Sequence, residues 1–455
     1  MKRIMVLLLI ILFSAQFIVQ VNINGYVQTY NRLRLQQDGK FTWNENLLGL
    51  KFEGNPSDKI HYYSEVRLRA FGFPKVMNSV DLQRREKDLV QPWGTEFREA
   101  YIDLYGFLTP SLDLRIGRQR IVWGTADKLN HTDNLNPDDL EDIFDYGRHL
   151  GSNALMATYY LGDYTLYGIY IPAFTPATMP FGDWAKAFVP PLNLPSGMQL
   201  ASFQDHIALP ENKLSETSSF GFKVAGNWFN YDWSLSYYYG RDDLPLISSV
   251  SLSPVNTPGY FDANVGMIYP RIQVIGADMA GSIGSVGIWA EGALTLPKKT
   301  YNYITLPHPQ LGMITQKEIT LDDEPYFKWV VGGDYTFKNG WYVNAQFLHG
   351  FIHERGKDNL NDYFLMRFEK KYMNDALKII PVGIAVSIPD WNDINNNYGV
   401  AGGPEIDYYP IDVLEISLGA FIINGKGDNI FSRVKDFDEG FVKITYNFRS
   451  SEVVC

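Results

Sequence analysis

The chain nearly lacks cysteine, because the only one among its 455 residues is the last, Cys455. A disulfide framework or a cysteine-based metal site within one chain is therefore excluded. After the N-terminal segment there is no apolar run of about 18 residues, so no further transmembrane helix is expected. Basic residues are fewer than acidic ones, which gives a net charge of -11 and argues against a nucleic-acid partner.

Motifs for catalysis are also missing. The seven histidines are scattered, and His353–Glu354 lacks the second histidine that a zinc-binding helix needs. Neither a G-x-S-x-G motif nor a nucleotide-binding loop occurs. We therefore expect no enzyme, no metal and no cofactor, although an outer-membrane hydrolase whose site is assembled across strands would leave no local motif.

Aromatic residues, by contrast, are abundant: they form 15% of the chain, with 29 Tyr and 28 Phe. The hydrophobic residues, 45% in total, are spread along the chain rather than gathered into runs. A soluble protein of this composition would need a very large core. In a transmembrane barrel the aromatic residues form girdles at the two membrane interfaces.

Residues 1–16 have the pattern of an export signal. Two basic residues precede the unbroken apolar run Ile4–Phe13, as in secretory signals. A small-x-small cleavage site is missing, so we place cleavage near Ala15 and Gln16. An uncleaved membrane anchor is the alternative.

Several later segments alternate apolar and polar side chains over about ten residues. In residues 59–71, Ile60 and Leu68 share one face, while Glu65 and Arg67 share the other. Strands of this length cross a bilayer when tilted, whereas strands of soluble proteins average about five or six residues. The same alternation recurs in residues 111–119, 286–294, 327–337 and 412–422.

Short and long connections alternate between these segments. Short turns rich in Gly, Pro, Asn and Asp fall at residues 55–58, 108–111, 161–163, 229–232, 281–285, 337–340, 371–375 and 408–412. Long polar or proline-rich loops fall at residues 72–94, 124–151, 172–216 and 297–325.

This asymmetry predicts an all-β fold, a transmembrane antiparallel up-and-down β-barrel with short periplasmic turns and long extracellular loops. The turns predict about 18 strands; 16 is the alternative, because residues 361–389 are ambiguous. We assign residues 17–448 to the barrel and 449–455 to a short C-terminal tail. Aromatic residues beside the short turns, such as Trp228, mark the periplasmic interface, and Tyr237, Tyr239 and Trp123 mark the outer one.

The last strand, residues 441–448, resembles the closing strand of outer-membrane proteins, whose terminal aromatic is recognised by the barrel-assembly machinery. Phe448 is that aromatic here, but seven further residues follow it.

The inward faces of the strands carry charges of both signs. They could form a transverse field that orients polar solutes in a pore, or pair across strands and stiffen the wall. The predicted pore-lining residues are Glu65, Arg67, Arg69, Glu99, Asp103, Asp113, Arg115, Gln119, Glu291, Lys328, Asp334, Glu415 and Lys443.

Two long loops carry further candidates. In residues 136–147, Asn136 as N-cap and Pro137 at the first helical position predict a short helix, with Ca²⁺ binding by the nearby carboxylates as the alternative. In residues 172–216 the apolar side chains Phe181, Trp184 and Phe188 predict that the loop either folds inward to constrict the pore or covers the mouth as a lid.

One stretch, from Leu114 to Asp139, resembles a known family. Its G-R-Q…W-G…N-P-x-D pattern is similar to the signature of a poorly characterised outer-membrane barrel family, distantly similar to alginate-exporter and porin-type barrels. The residues that carry it are Gly117, Arg118, Gln119, Trp123, Gly124, Asn136, Pro137, Asp138 and Asp139. The resemblance implies one barrel in the outer membrane and no chemistry on the solute. Because the inner face mixes signs, a polyuronate substrate is not carried over.

From the residues and the resemblance together, we expect a porin-like channel in the bacterial outer membrane for passive passage of small polar or amphiphilic solutes. The alternative is a structural or surface-binding barrel whose loops hold lipopolysaccharide, polysaccharide or a protein; a third hypothesis is an outer-membrane enzyme. Expected partners are outer-membrane lipid, lipopolysaccharide and, during insertion, the barrel-assembly machinery.

Overall fold

The protein is represented by a computed structural model that describes residues 21–36, 39–85, 87–180, 182–188, 197–308 and 310–449. The predicted signal segment, residues 1–16, and residues 450–455 of the predicted tail lie outside the described residues. Eighteen strands pair antiparallel into one sheet that closes on itself. They are β1 (Asn22–Arg34), β2 (Phe41–Ser57), β3 (Ile60–Phe71), β4 (Trp93–Leu104), β5 (Leu112–Gln119), β6 (Ser152–Leu161), β7 (Tyr164–Ile171), β9 (Ser219–Trp228), β10 (Tyr231–Arg241), β13 (Arg271–Ile283), β14 (Val286–Pro297), β17 (Tyr326–Thr336), β18 (Trp341–His349), β19 (Asp362–Tyr372), β20 (Leu377–Ile388), β21 (Tyr398–Ile411), β22 (Leu414–Lys426) and β23 (Glu439–Arg449).

The first and last strands close the barrel. β1 pairs with β23 from Asn24 opposite Arg449 to Arg34 opposite Glu439, and its other edge pairs with β2. Closure matters because no water is present in the bilayer core to satisfy a free strand edge. The prediction of 18 strands is confirmed, and 16 is excluded.

The eight predicted short turns all join neighbouring barrel strands at the same rim. In the β9–β10 turn, Phe229 and Asn230 both adopt positive φ, 51° and 66°, the conformation that two-residue hairpins favour. The long connections leave from the opposite rim, as predicted.

The two faces of the wall differ in chemistry. Apolar side chains face outward and are exposed, among them Phe327 at 50% and Leu418 at 49%. Polar side chains such as Glu65 and Ser417 face inward and are buried. A closed barrel with an apolar outer surface and a polar interior is the transmembrane β-barrel of the bacterial outer membrane. None of the helices in the described ranges combines the length and apolar character of a membrane span.

Three of the long connections form a second sheet. Sequence analysis assigned two of them, residues 172–216 and 297–325, to loops and made no assignment for residues 242–270. Its strands are β8 (Gln199–Ala208), β11 (Leu246–Pro254), β12 (Tyr260–Ile268), β15 (Thr300–His308) and β16 (Gly312–Leu321), in the order β16-β15-β11-β12-β8. Two of its pairings, β11 with β15 and β12 with β8, are parallel and join segments far apart in sequence. Turn signals between consecutive strands cannot indicate such pairings, which is why these strands were missed.

Hydrophobic clusters lie inside the barrel, between loops and wall. One joins loop residues such as Leu140 and Trp184 to the inward side chains Val330, Leu348 and Tyr363 of the wall. The other contains Trp123, which is only 3% exposed. The prediction that Trp123 marks the outer membrane interface is therefore wrong: the chain turns inward after β5 and buries the indole against Leu135 and the inner wall.

Candidate functional site

The connection between β5 and β6, residues 120–151, folds into the lumen, and we call it the plug loop. Its contacts reach strands far apart around the barrel. Asp127 exchanges two hydrogen bonds with Gln346 of β18. Asp142 pairs with Arg32 of β1 at 2.5 Å, and Phe144 stacks on Phe421 of β22 with ring centroids 3.7 Å apart. The plug loop therefore crosses the lumen from wall to wall.

A single buried carboxylate fixes one end of the plug loop. Glu291 of β14 is 4% exposed. Its Oε1 accepts the Thr132 amide at 2.7 Å and the Thr132 hydroxyl at 3.1 Å. Its Oε2 accepts the amides of Thr125 at 3.0 Å and Ala126 at 3.3 Å. A carboxylate that accepts several backbone amides is well compensated for its burial.

Residues of the G-R-Q…W-G…N-P-x-D pattern build the root of the plug loop. The Asn136 side chain accepts the Ile121 amide at 2.7 Å and donates to the carbonyls of Gln119 and Leu150. Gly124 has a φ of +85°, and a Cβ there would lie 2.3 Å from Oε2 of Glu291. The residues of this pattern therefore have a structural role in this chain: they attach the plug loop to the wall.

The other residues of the pattern hold the backbone around that root. The Pro137 carbonyl accepts the Leu150 amide at 2.8 Å. Arg118 donates to the Phe97 carbonyl at 2.7 Å, and Gln119, fully buried, donates to the Ala154 carbonyl at 3.0 Å.

The short helix predicted within residues 136–147 does not form. The Asn136 side chain is already hydrogen-bonded to the backbone groups just described. Asp138 forms an isolated β-bridge with His149, and Asp139 forms one with Thr178. The calcium alternative also finds no support, since no group of three metal-binding side chains occurs in the described ranges. The carboxylates are instead divided among separate basic side chains, and three of them, Asp139, Glu141 and Asp142, pair with arginines.

Those arginines belong mostly to the wall opposite β14. Asp139 pairs with Arg98 of β4 at 3.0 Å and with Arg148 of the plug loop at 2.8 Å. Glu141 pairs with Arg69 of β3 at 3.0 Å. Although burial alone raises the pKa of Asp139, the guanidiniums of Arg148 and Arg98 lower it to about 2. These ion pairs hold the plug loop near β1 to β4.

A polar cavity of about 220 Å³ remains between this wall and the plug loop; we call it the gap. Asp145 and Arg148 of the plug loop lie on one side of it. Charged lining residues on the wall side are Glu45, Arg67, Arg69 and Arg98, beside Tyr26 and Gln28.

The predicted pore-lining residues fall into three groups. Gln119, Glu291 and Lys328 face the interior, but loops cover them; the Lys328 ammonium donates to the Phe351 carbonyl at 2.6 Å. Arg67 and Arg69 line the gap. Glu65 lies behind Arg67, with its Oε1 2.9 Å from the Arg67 Nε.

The remaining members of that set lie elsewhere on the inner face. Arg115 pairs with Asp103 at 2.6 Å, as the cross-strand alternative predicts. Asp113 and Glu99 accept backbone amides of Gly106 and Arg120. Asp334 and Glu415 accept tyrosine hydroxyls, and Lys443 lies opposite Ser417 and Tyr30 in the ladder. A pore-lining role for these residues stays a prediction.

The aromatic residues predicted for residues 172–216 pack inside the mouth rather than across the gap. Trp184, 5% exposed, contacts Phe144 of the plug loop and Phe437. Phe188 contacts His353, and Phe181 lies outside the described residues. The described part of this loop also reaches far around the barrel, because the Arg34 guanidinium of β1 lies 4.6 Å from the Trp184 ring centroid. Whether the loop constricts the pore or covers the mouth stays a prediction.

A third set of contacts, around Asp138, joins the plug loop to the connection that follows β10. The Asp138 amide donates to Asp243 at 2.7 Å, and its carboxylate lies 3.1 Å from Nε2 of His149. Burial lowers the pKa of His149, but its bond to Asp138 and the charges of Asp133 and Asp138 raise it to about 8. Burial, with the charges of Asp138 and Asp242, raises the pKa of Asp243 to about 7.

Sequence reasoning missed Arg32, Arg98 and Arg148, and it considered Asp142 only as one of the carboxylates of the calcium alternative. Arg32 and Arg34 occupy alternate positions in β1 and are 1% exposed, so the inward polar pattern of the strands was present there. Arg98 lies at a bulge where β4 slips against β3, which hides its direction. Asp142 and Arg148 belong to a loop without a period, so nothing in the sequence placed them beside the wall.

Comparison with known proteins returns structural likeness only. No family model and no curated protein matches the chain, so the resemblance of residues 114–139 to a barrel family stays a prediction. Among solved structures, Pseudomonas aeruginosa OpdK with vanillate aligns over 94% of this chain and 99% of its own, at 9% identity and a TM-score of 0.48. Vibrio cholerae OmpT, an outer membrane protein, aligns over 96% and 99% at 9% identity and 0.44. Salmonella typhi OmpF in complex with daunomycin aligns over 94% and 97% at 11% identity and 0.40. The fold assignment rests on the strand pairings themselves.

Proposed function

We propose that this protein is a passive, porin-like channel for small polar solutes in the outer membrane of a Gram-negative bacterium. The observation that carries the proposal is the gap: the plug loop crosses the lumen yet leaves a charged cavity against β1 to β4. Barrels of this strand number are wide enough for water unless loops fill them. The proposed route for solutes passes through the gap.

The proposal is supported by the way the charges are held. Arg69 binds Glu45 and Glu96, each at 2.6 Å, and also Glu141. Side chains fixed by several ion pairs keep a defined shape, which a size-selective constriction needs. No catalytic residue set is proposed, and lipopolysaccharide, outer-membrane lipid and the barrel-assembly machinery remain proposed partners.

Single-channel recording in planar bilayers tests this function. The wild-type protein should give stable conductance steps, and replacing residues 125–147 by a flexible Gly-Ser linker should raise them, because the crossing segment is removed. Removing residues 302–319, the β15–β16 hairpin outside the barrel, serves as the control and should leave conductance unchanged. A correctly inserted wild-type barrel that stays silent would contradict the proposal.

The second candidate is a surface-binding barrel, favoured by the five-stranded loop sheet. Its strand β8 is exposed along its whole length and carries Leu200, Phe203 and Ile207, each at least 40% exposed. Exposed apolar side chains of this kind often mark binding surfaces. Deletion of residues 175–209 separates the two: a binding role predicts loss of partner capture with conductance retained.

A further inference from the structure

Two arginines line the gap from opposite sides and do not use all of their donors. Arg67 extends from β3 of the wall, where its Nε donates to Glu65 at 2.9 Å. Arg148 extends from the plug loop, where one Nη donates to Asp139 at 2.8 Å. A guanidinium carries five N–H donors, so both side chains have donors left for a solute in the gap.

In each of these ion pairs the arginine side chain is more exposed than its carboxylate partner. The Arg67 side chain is 24% exposed and its partner Glu65 only 9%; Arg148 is 22% exposed and its partner Asp139 only 3%. In both pairs the carboxylate lies behind and the guanidinium faces the cavity. Within each of these two pairs, the group that a solute in the gap meets is therefore the positive one.

Two carboxylates also line the gap, and both have a cation of their own. Glu45 accepts from Arg69 at 2.6 Å, and Asp145, 53% exposed, lies 3.5 Å from Lys128. Asp145 is thus the acidic group most open to a solute. Its removal should strengthen, not weaken, the attraction of an anion.

Building on the proposed function, we propose that the gap binds the carboxylate of a small organic acid between Arg67 and Arg148 as the acid passes through the barrel. The planar guanidinium fork matches a carboxylate in a two-bond geometry, which a lysine ammonium cannot reproduce. A cavity of about 220 Å³ accommodates a small acid. The channel is thereby selective among polar solutes rather than a sieve of size alone.

Liposome swelling with acetate, succinate and benzoate, set against the neutral sugar arabinose, tests this inference. Arg67→Gln should lower the rate for the acids about tenfold, as expected for the loss of one charge-assisted pair, and leave arabinose unchanged. Arg67→Lys should restore only part of the acid rate, and Asp145→Asn should raise it. Arg367→Gln is the matched control, since Arg367 is a lumen-facing arginine of β19 paired with Glu369.

The outcomes separate the two proposals. Wild-type liposomes that swell equally with acids and arabinose would overturn carboxylate binding and leave the channel function standing. Liposomes that swell with no solute would overturn both. Full rescue by Arg67→Lys, or equal competition by inorganic phosphate, would replace carboxylate recognition by a general attraction for anions. Heat-modifiable migration on gels confirms that each variant is folded.

Discussion

At the scale of single residues, Glu291 shows how one carboxylate can position a long loop. Four donors of the plug loop converge on it, from Thr125, Ala126 and Thr132. Hydrogen bonds to a charged acceptor contribute about 1.5–3 kcal/mol each when one partner is removed. The loop therefore depends on this group much more than the barrel wall does.

Glu291→Gln should loosen the plug loop, because an amide has one acceptor oxygen and turns an N–H donor toward the other backbone amides. We expect weaker anchoring by roughly 1–3 kcal/mol, seen as larger and noisier conductance steps. Asp334→Asn is the control, since Asp334 binds Tyr342 of the wall. Unchanged conductance in Glu291→Gln would contradict the anchoring role.

His149 makes the same loop sensitive to pH. Its pKa is raised to about 8, so the tie of its charged form to Asp138 is complete below about 6.5, the ordinary value, and is lost as pH rises through about 8. Asp243, with its pKa raised to about 7, acts in the same direction, because its ionisation beside Asp138 and Asp242 is unfavourable.

Conductance noise should therefore increase between about pH 6.5 and 8, as the loop loses the tie between His149 and Asp138. His149→Gln should remove this increase and keep the separate increase below about pH 7, which belongs to the buried Asp243. Arg120 also faces this imidazole, with its Nη2 3.0 Å from Nδ1 of His149. If conductance noise varied with pH in the same way in His149→Gln as in the wild type, the role assigned to His149 would be contradicted.

At the scale of elements, a single glycine in β5 allows this strand to approach β4 closely. Gly117 has a φ of +132°, and a Cβ there would lie 2.3 Å from the Ala100 carbonyl oxygen of β4. Gly117 and Ala100 both belong to the β4–β5 ladder, so neither backbone can shift without disturbing the strand pairing. The structure thus shows a close approach of the two strand backbones at this glycine.

Gly117→Ala should destabilise the barrel by roughly 1–3 kcal/mol, through strain at a φ that side chains rarely adopt. Urea unfolding in lipid vesicles, followed by tryptophan fluorescence, measures the loss. Gly168→Ala in β7 is the control, since an added Cβ there meets nothing within 4 Å. Equal midpoints for the two variants would be the contrary result.

Elements differ in how far the sequence predicts them. The strand containing Glu65 and Arg67 was predicted because one face meets lipid and the other meets polar groups, which enforces a period of two. The loop strand β8, exposed on both faces, has no such contrast. The plug loop has no period at all, and its predicted helix was wrong because Asn136 and Asp139 bind the wall and neighbouring loops.

At the scale of the whole molecule, the closed sheet should make the barrel resist unfolding. Because β1 pairs with both β2 and β23, the barrel sheet has no free edge at which unfolding could begin. We expect a sheet-type dichroism spectrum in detergent, and a folded band in unheated SDS samples that shifts on boiling. Truncation before Phe441, which removes most of β23, should abolish that band, whereas truncation after Arg449 should keep it.

What the sequence determined by itself is the barrel: strand count, turn positions and the inward or outward direction of side chains in regular strand segments follow from local alternation and turn chemistry. What only the tertiary structure decided is the interior. That the plug loop crosses the lumen, that Glu291 anchors it, and that Arg67 and Arg148 face one cavity all depend on contacts between residues distant along the chain. Such contacts leave no periodic trace, because each is set by the shape of the closed barrel around it.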